Sequence, residues 1–230
     1  MNKLILWDID GTLLHTGGLA GEGMRAAMNQ TFGYAPRRER TFYSGKTDRQ
    51  IIHETFPELQ ESELLERLPA FKALYVQEME QRRESIIADG RVMPGVLALL
   101  EHFHGQVVQA PLTGNIAPVA RLKLEWLGLL AYLNTDVGAY GDDHHERARL
   151  VPIAMERASR YYRHTFAPHD VIIVGDTPHD IRCGASHDVR TVAVATGPYS
   201  IDDLEQHHPD AVLADLSDFA AARAALLGAG

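Results

Sequence analysis

The sequence predicts an α/β fold with a mostly parallel sheet and a helical insert after the first strand. Three observations predict it. Short apolar, β-rich runs alternate with longer amphipathic stretches, the pattern of strands joined by crossover helices. From about residue 16 to 90 the alternation stops and only helical patterns are found. Polar, chemistry-bearing residues follow at once after several of the apolar runs, where open parallel sheets place their ligands.

The first strand is Leu4–Trp7, "LILW". It meets Asp8 directly, so it is too short for a leader or a membrane span. Helical patterns follow over Gly21–Phe32, Thr47–Phe56 and Ser62–Arg83. Pro69 lies inside the last and is expected to kink it or split it in two, because proline has no N–H to give. No strong strand is evident in this insert. The sheet resumes after "MPGV", Met93–Val96. Strands are expected at Val107–Leu112, Val137–Tyr140, Val171–Val174, Thr191–Ala195 and Ala211–Leu213. Helices are expected at Gly95–Phe103, Ile116–Leu127 and Leu150–Tyr162, with a last one in the Ala-rich tail Ala220–Gly230. Pro111 is odd inside an apolar strand and marks a bulge or an unpaired position. The expected division is a core of residues 1–15 and 91–230 and a helical domain of residues 16–90.

Composition narrows the function. The chain has 230 residues, 45% of them hydrophobic, enough for a packed core with an insert. Its 22 Lys and Arg stand against 31 Asp and Glu, a formal charge of −9. That argues against a nucleic-acid binder, which would carry a basic face. A small anionic substrate stays compatible, because a few cations or one metal reverse the local field. The single cysteine, Cys183, permits no intrachain disulfide and reads as a small buried residue. No membrane is implied as a partner, and the cytoplasm is the expected location. The histidine pairs His144-His145 and His207-His208 fit no zinc spacing and read as solvent-facing.

Three motifs carry chemistry. In Asp8-Ile9-Asp10-Gly11-Thr12 the two acids stand two apart at a strand end, where both can face one cavity. An ionised aspartate can attack phosphorus, and the second acid can give and later take a proton. The plainer reading is a strand end with two solvated acids. In "PLTGN", Pro111–Asn115, the Thr113 hydroxyl and the amides of Gly114 and Asn115 can hold phosphate oxygens, although the same residues make an ordinary turn. In "VIIVGDTPHDI", Val171–Ile181, Asp176 and Asp8 offer hard oxygens suited to Mg²⁺, and Asp180 can bind a metal water or orient the loop. Asp176 and Asp180 also read as a helix N-cap and a first-turn acid.

Taken in order, "DIDGTLL", "LTGN" and "GDTPHDI" resemble three motifs of the haloacid dehalogenase superfamily, specifically its phosphatases. The nearest likeness is to phosphoglycolate-phosphatase-like members. The resemblance spans the chain. It implies a Rossmann-like three-layer core with the motif strands adjacent at its centre, and makes residues 16–90 a small helical cap. It implies Asp8 as nucleophile, Asp10 as general acid and base, Thr113 as phosphate ligand, and Asp176 as Mg²⁺ ligand together with the Asp10 main-chain carbonyl. Dehalogenases of the superfamily lack the second aspartate, so Asp10 favours phosphate chemistry.

The family also uses a cation, usually lysine, beside the nucleophile. The matching stretch "GDDHHERARLVPIAMERA" holds no lysine, which leaves Arg147, with Arg149 as its rival. In "YSGKTDRQI", Tyr43–Ile51, Lys46 either binds the far end of the substrate or is solvated. Lys123, in "RLKLEWLGL", reads as part of a solvated helix face.

The expected function is a Mg²⁺-dependent phosphatase acting on a small phosphorylated metabolite, phosphoglycolate-like or a sugar phosphate, as a monomer or homodimer. A phosphomutase of the β-phosphoglucomutase type, using the same aspartyl phosphate, is one alternative. A non-catalytic phosphate-sensing or partner-binding domain of the same fold is another.

Overall fold

The computed structural model describes residues 2–33 and 43–227. In chain order the strands are β1 (Leu4–Trp7), β2 (Leu14–His15), β3 (Arg91–Val92), β4 (Val108–Pro111), β5 (Val171–Gly175), β6 (Arg190–Val194) and β7 (Ala211–Leu213). The helices are α1 (Leu19–Phe32), α2 (Asp48–Thr55), α3 (Glu61–Gln81), α4 (Arg83–Asp89), α5 (Val96–Phe103) and α6 (Ala117–Trp126). They continue with α7 (Leu150–Tyr162), α8 (Pro178–Ala185), α9 (Ile201–Glu205) and α10 (Phe219–Leu227). The last residues of the expected tail helix, 228–230, lie outside the described residues.

The central sheet has the order β4-β1-β5-β6-β7, and every neighbouring pair is parallel. β1 is flanked on both edges, with Leu4 opposite Val108 on one side and Val171 on the other. Successive side chains of a strand point to opposite faces. Ile5 and Trp7 therefore join Leu99 and Phe103 of α5 and Leu226 of α10. Leu4 and Leu6 join Leu150, Val151 and Ala154 of α7 and Cys183 of α8. Helices cover both faces, which is why these strands read as unbroken apolar runs rather than alternating ones.

Helices α1 to α4 form a group with its own core of Met24, Met28, Ile52, Phe71 and Met79, and α6 lends it Ile116 and Val119. The chain leaves the sheet unit and returns through a short antiparallel ribbon, with Leu14 opposite Val92 and His15 opposite Arg91. Two-residue strands carry too little pattern to be read from sequence.

Two expectations need correction. Val137–Tyr140 is not a strand. It makes one isolated bridge, Ala139 to Leu112, along the outer edge of β4. Pro111 has no N–H to extend that ladder toward Val137, and Gly138 packs close to its ring, where a Cβ would lie 2.9 Å from Pro111 Cδ. Pro111 itself ends β4 without a bulge. The Leu112 N–H continues to the Trp7 carbonyl, and the Pro111 carbonyl accepts from Ala139. The second concerns the split expected at Pro69, which does not occur: α3 runs through the proline, and the break falls at Arg82. Leu64, Leu68, Phe71 and Tyr75 are buried on both sides of the proline and hold the helix down. The residue whose carbonyl loses its partner, Leu65, is on the exposed face, where solvent can reach it. Among the described residues no helix is long and apolar enough to cross a membrane.

Candidate active site

The adjacency of β4, β1 and β5 gathers the three motifs. Asp8 follows β1 and still donates its N–H to Val174 at 2.9 Å, so the sheet fixes its backbone. Asp176 follows β5 and Thr113 stands two residues after β4. The turn after Asp10 depends on Gly11, whose φ is +88°. A Cβ there would lie 2.4 Å from Asp176 Oδ2, so glycine is required by conformation and by space. Thr12 donates to Asp176 Oδ1 at 3.1 Å.

Asp8, Asp176 and Asp180 are buried and bring one oxygen each within 4.8 Å of the others. Arg147, in a short 3₁₀ turn before α7, is buried beside them. Its Nη2 donates to Asp8 Oδ1 at 2.7 Å and to Asp180 Oδ1 at 2.6 Å. Arg149, two residues on, is two-thirds exposed and pairs with Glu146. Asp180 does two things at once. Its other oxygen accepts from the Thr177 hydroxyl and N–H, closing a capping box on α8.

Three buried carboxylates lie around one guanidinium, which bonds two of them, Asp8 and Asp180. Burial, reinforced by Asp180 against the pull of Arg147, raises the Asp8 carboxyl to about 6. Burial with the charges of Asp8 and Asp180 raises Asp176 well above the usual range. Burial works to lower Arg147, but the charges of Asp180 and Asp8 outweigh it and raise it above its ordinary value. Such an excess of hard, buried oxygen donors suits a divalent cation.

Thr113 is fully buried, and its hydroxyl oxygen accepts from Asn115 Nδ2 at 2.9 Å. The Gly114 carbonyl accepts from the Asp48 N–H at 2.7 Å. A Cβ on Gly114 would lie 1.9 Å from the Lys46 carbonyl oxygen, so the segment before α2 lies directly on the turn after β4. Lys46 lines the cleft and its ammonium pairs with Glu54. The cleft between the sheet edge and the helical group has a volume of about 540 Å³.

Lys123 corrects the sequence reading. It is not on a solvated face: it is buried, and Nζ donates to Asp10 Oδ1 at 2.8 Å, Asp10 Oδ2 at 2.6 Å and Asn115 Oδ1 at 2.6 Å. Asn115 Nδ2 donates to Asp10 Oδ2 at 2.7 Å. Partial desolvation at the cleft floor works to raise the Asp10 carboxyl, but the Lys123 charge and the bonds from Lys123 and Asn115 hold it below its ordinary value. A signal was present. Ile116, Val119, Ala120 and Leu124 mark the buried stripe of α6, and position 123 falls on it. Asp48 was also missed. It is buried at the start of α2 and accepts the Ile116 N–H at 2.8 Å, capping α6 from another segment.

A family model described as haloacid dehalogenase-like hydrolase matches residues 5–194. The chain is 24% identical over 219 residues to a pyrophosphatase, PpaX, of Oceanobacillus iheyensis, covering 94% of each protein. Among solved structures it resembles a predicted phosphatase from Clostridium acetobutylicum, with a TM-score of 0.68 and 16% identity over 95% of this chain and 96% of that one. It also resembles a predicted phosphoglycolate phosphatase from Haemophilus somnus, with a TM-score of 0.65 and 18% identity over 95% of this chain and 96% of that one.

Proposed function

The chain belongs to the haloacid dehalogenase-like hydrolases, and from that premise we propose that it is a Mg²⁺-dependent phosphatase that hydrolyses a small phosphate monoester through an aspartyl phosphate on Asp8. One observation carries the reading: Asp8, at the end of β1 between β4 and β5, is grouped with Asp176 and Asp180 and held by Arg147. A lone strand-end acid would be solvated; this one is buried among charges that fix its orientation.

Asp8, Asp176, Asp180 and the Asp10 main-chain carbonyl would hold Mg²⁺, which supplies positive charge against the phosphoryl oxygens when bound. Asp8 attacks phosphorus as the ester bond breaks. Asp10 gives a proton to the leaving oxygen from its minor protonated form, since the Lys123 and Asn115 bonds favour the carboxylate. Water then attacks phosphorus and passes a proton to Asp10, the bond to Asp8 breaks, and phosphate leaves. Thr113 and the amides of Gly114 and Asn115 cradle the phosphoryl oxygens, and Arg147 steadies both them and Asp8. Arg147 Nε, buried with no partner among the described residues, is a donor that a phosphoryl oxygen would satisfy.

In this reading residues 1–15 and 91–230 form the core and residues 16–90 the cap. The cap excludes water and presents Lys46 to the rest of the substrate. The substrate is a small phosphorylated metabolite of the cytoplasm; the pyrophosphatase and phosphoglycolate phosphatase among similar proteins support that size class.

The test is phosphate release from an aryl phosphate with Mg²⁺ or EDTA, by wild type and by Asp8→Asn. Chelation and the substitution should each abolish turnover. Release that survives both would overturn the mechanism.

A further inference from the structure

Lys123 is a buried charge in the cleft that the mechanism above leaves unused. It stands on the buried stripe of α6, beside Val119, Ala120 and Leu124, and burying an ammonium is costly unless its donors are matched. Here the match is specific. Its three hydrogen bonds go to both Asp10 oxygens and to Asn115 Oδ1. Asn115 closes the ring by donating to Asp10 Oδ2. The ring joins three segments: the end of β1, the turn after β4, and α6. None of the Lys123 hydrogen bonds reaches Asp8, Asp176 or Asp180. Asp10 is different from those three acids, since its side chain is 42% exposed toward the cleft. Without an anchor, so open a carboxylate would turn among its rotamers.

We propose that Lys123 is a positioning residue for Asp10: its ammonium, steadied by Asn115, holds the carboxylate in the orientation that receives a proton from the water attacking the aspartyl phosphate. The inference rests on the phosphatase reading above. In this step the water oxygen bonds to phosphorus, one water proton passes to an Asp10 oxygen, and the phosphorus–oxygen bond to Asp8 breaks. Phosphate leaves and Asp8 returns as a carboxylate. The first half of the reaction is less demanding with an aryl ester, because a nitrophenolate leaves without a proton. Loss of Lys123 therefore slows the second half selectively.

The experiment is rapid mixing of the full-length protein with p-nitrophenyl phosphate and Mg²⁺. Lys123→Met should release about one nitrophenolate per subunit in a burst, then turn over ~10- to 100-fold more slowly than wild type, a share of the usual general-base contribution. Acid quenching should trap phosphate on Asp8 in the variant. Lys123→Arg should recover part of the rate. In an Asp10→Ala background, Lys123→Met should cost nothing further, because it acts through Asp10. Should Lys123→Met not fold, as read by circular dichroism, Lys123→Gln carries the same comparison. Wild-type turnover without a burst in the variant, burst and turnover falling together, or additive losses in the double variant would each overturn the inference. A wild type that releases no nitrophenolate would overturn the phosphatase reading, and this inference with it.

Discussion

Arg147 and Asp8 are 139 residues apart in sequence, and Nη2 of the one lies 2.7 Å from Oδ1 of the other with both side chains buried. The same nitrogen also serves Asp180, so one guanidinium balances two carboxylates. Removing it would leave those acids buried without a cation. Arg147→Met should lower the stability of the metal-free protein by about 3–5 kcal/mol in urea titrations. It should also reduce phosphate release by on the order of 10²-fold. Arg149→Ala should change stability by less than ~0.5 kcal/mol, since its pair with Glu146 is exposed.

The acid cluster ties metal binding to stability. Mg²⁺ at about 100 times its dissociation constant should stabilise the EDTA-treated protein by about 2.7 kcal/mol, read as a rise in Tm. Asp176→Asn should abolish that rise. Without metal the same variant should melt higher than wild type, because the native state no longer has to crowd a third buried charge or hold a proton on Asp176 that the unfolded chain releases. An unchanged Mg²⁺ response in Asp176→Asn would place the ion elsewhere.

The contact between Gly114 and Lys46 is backbone against backbone, so neither side can give. Gly114→Ala would set its Cβ 1.9 Å from the Lys46 carbonyl oxygen and 3.1 Å from Thr47 Cα. It should break the Asp48 N–H bond to the Gly114 carbonyl and cost about 1–3 kcal/mol, the usual scale of overpacking. KM should rise with the loss, as measured by steady-state kinetics.

Asp48 makes stability depend on pH in an uncommon direction. Burial raises its carboxyl to about 7, against the pull of the Ile116 N–H and Lys123. The native state then binds a proton that the unfolded chain has released. Stability should fall as pH rises from about 4 to 7 and then level off. The contribution is at most about 4 kcal/mol. Asp48→Asn keeps an oxygen for the Ile116 N–H and should flatten this part of the profile in denaturant titrations across that range.

The strands β1, β4 and β5 were legible because each is buried on both faces and so reads as an apolar run. The acids and the threonine at their ends were legible because a parallel sheet exposes ligands there. Local chemistry also placed α7 from Leu150 to Tyr162. The ribbon of β2 and β3 was not legible, since two residues a side carry no period. Pro69 misled because the rule against proline in helices is local, whereas the packing of Leu64, Phe71 and Tyr75 that overrides it is not.

By itself, then, the sequence determined the order of the long helices and of the five strands of the central sheet, and the chemical types brought to one sheet edge. Those follow from periodicity and from turn residues a few positions apart. Only the tertiary structure decided that Arg147 and not Arg149 meets Asp8, that Lys123 grips Asp10, and that Asp48 caps α6. Each of those pairings costs desolvation unless the partner is in place. The partners lie 139, 113 and 68 residues away, so no window of sequence contains both halves.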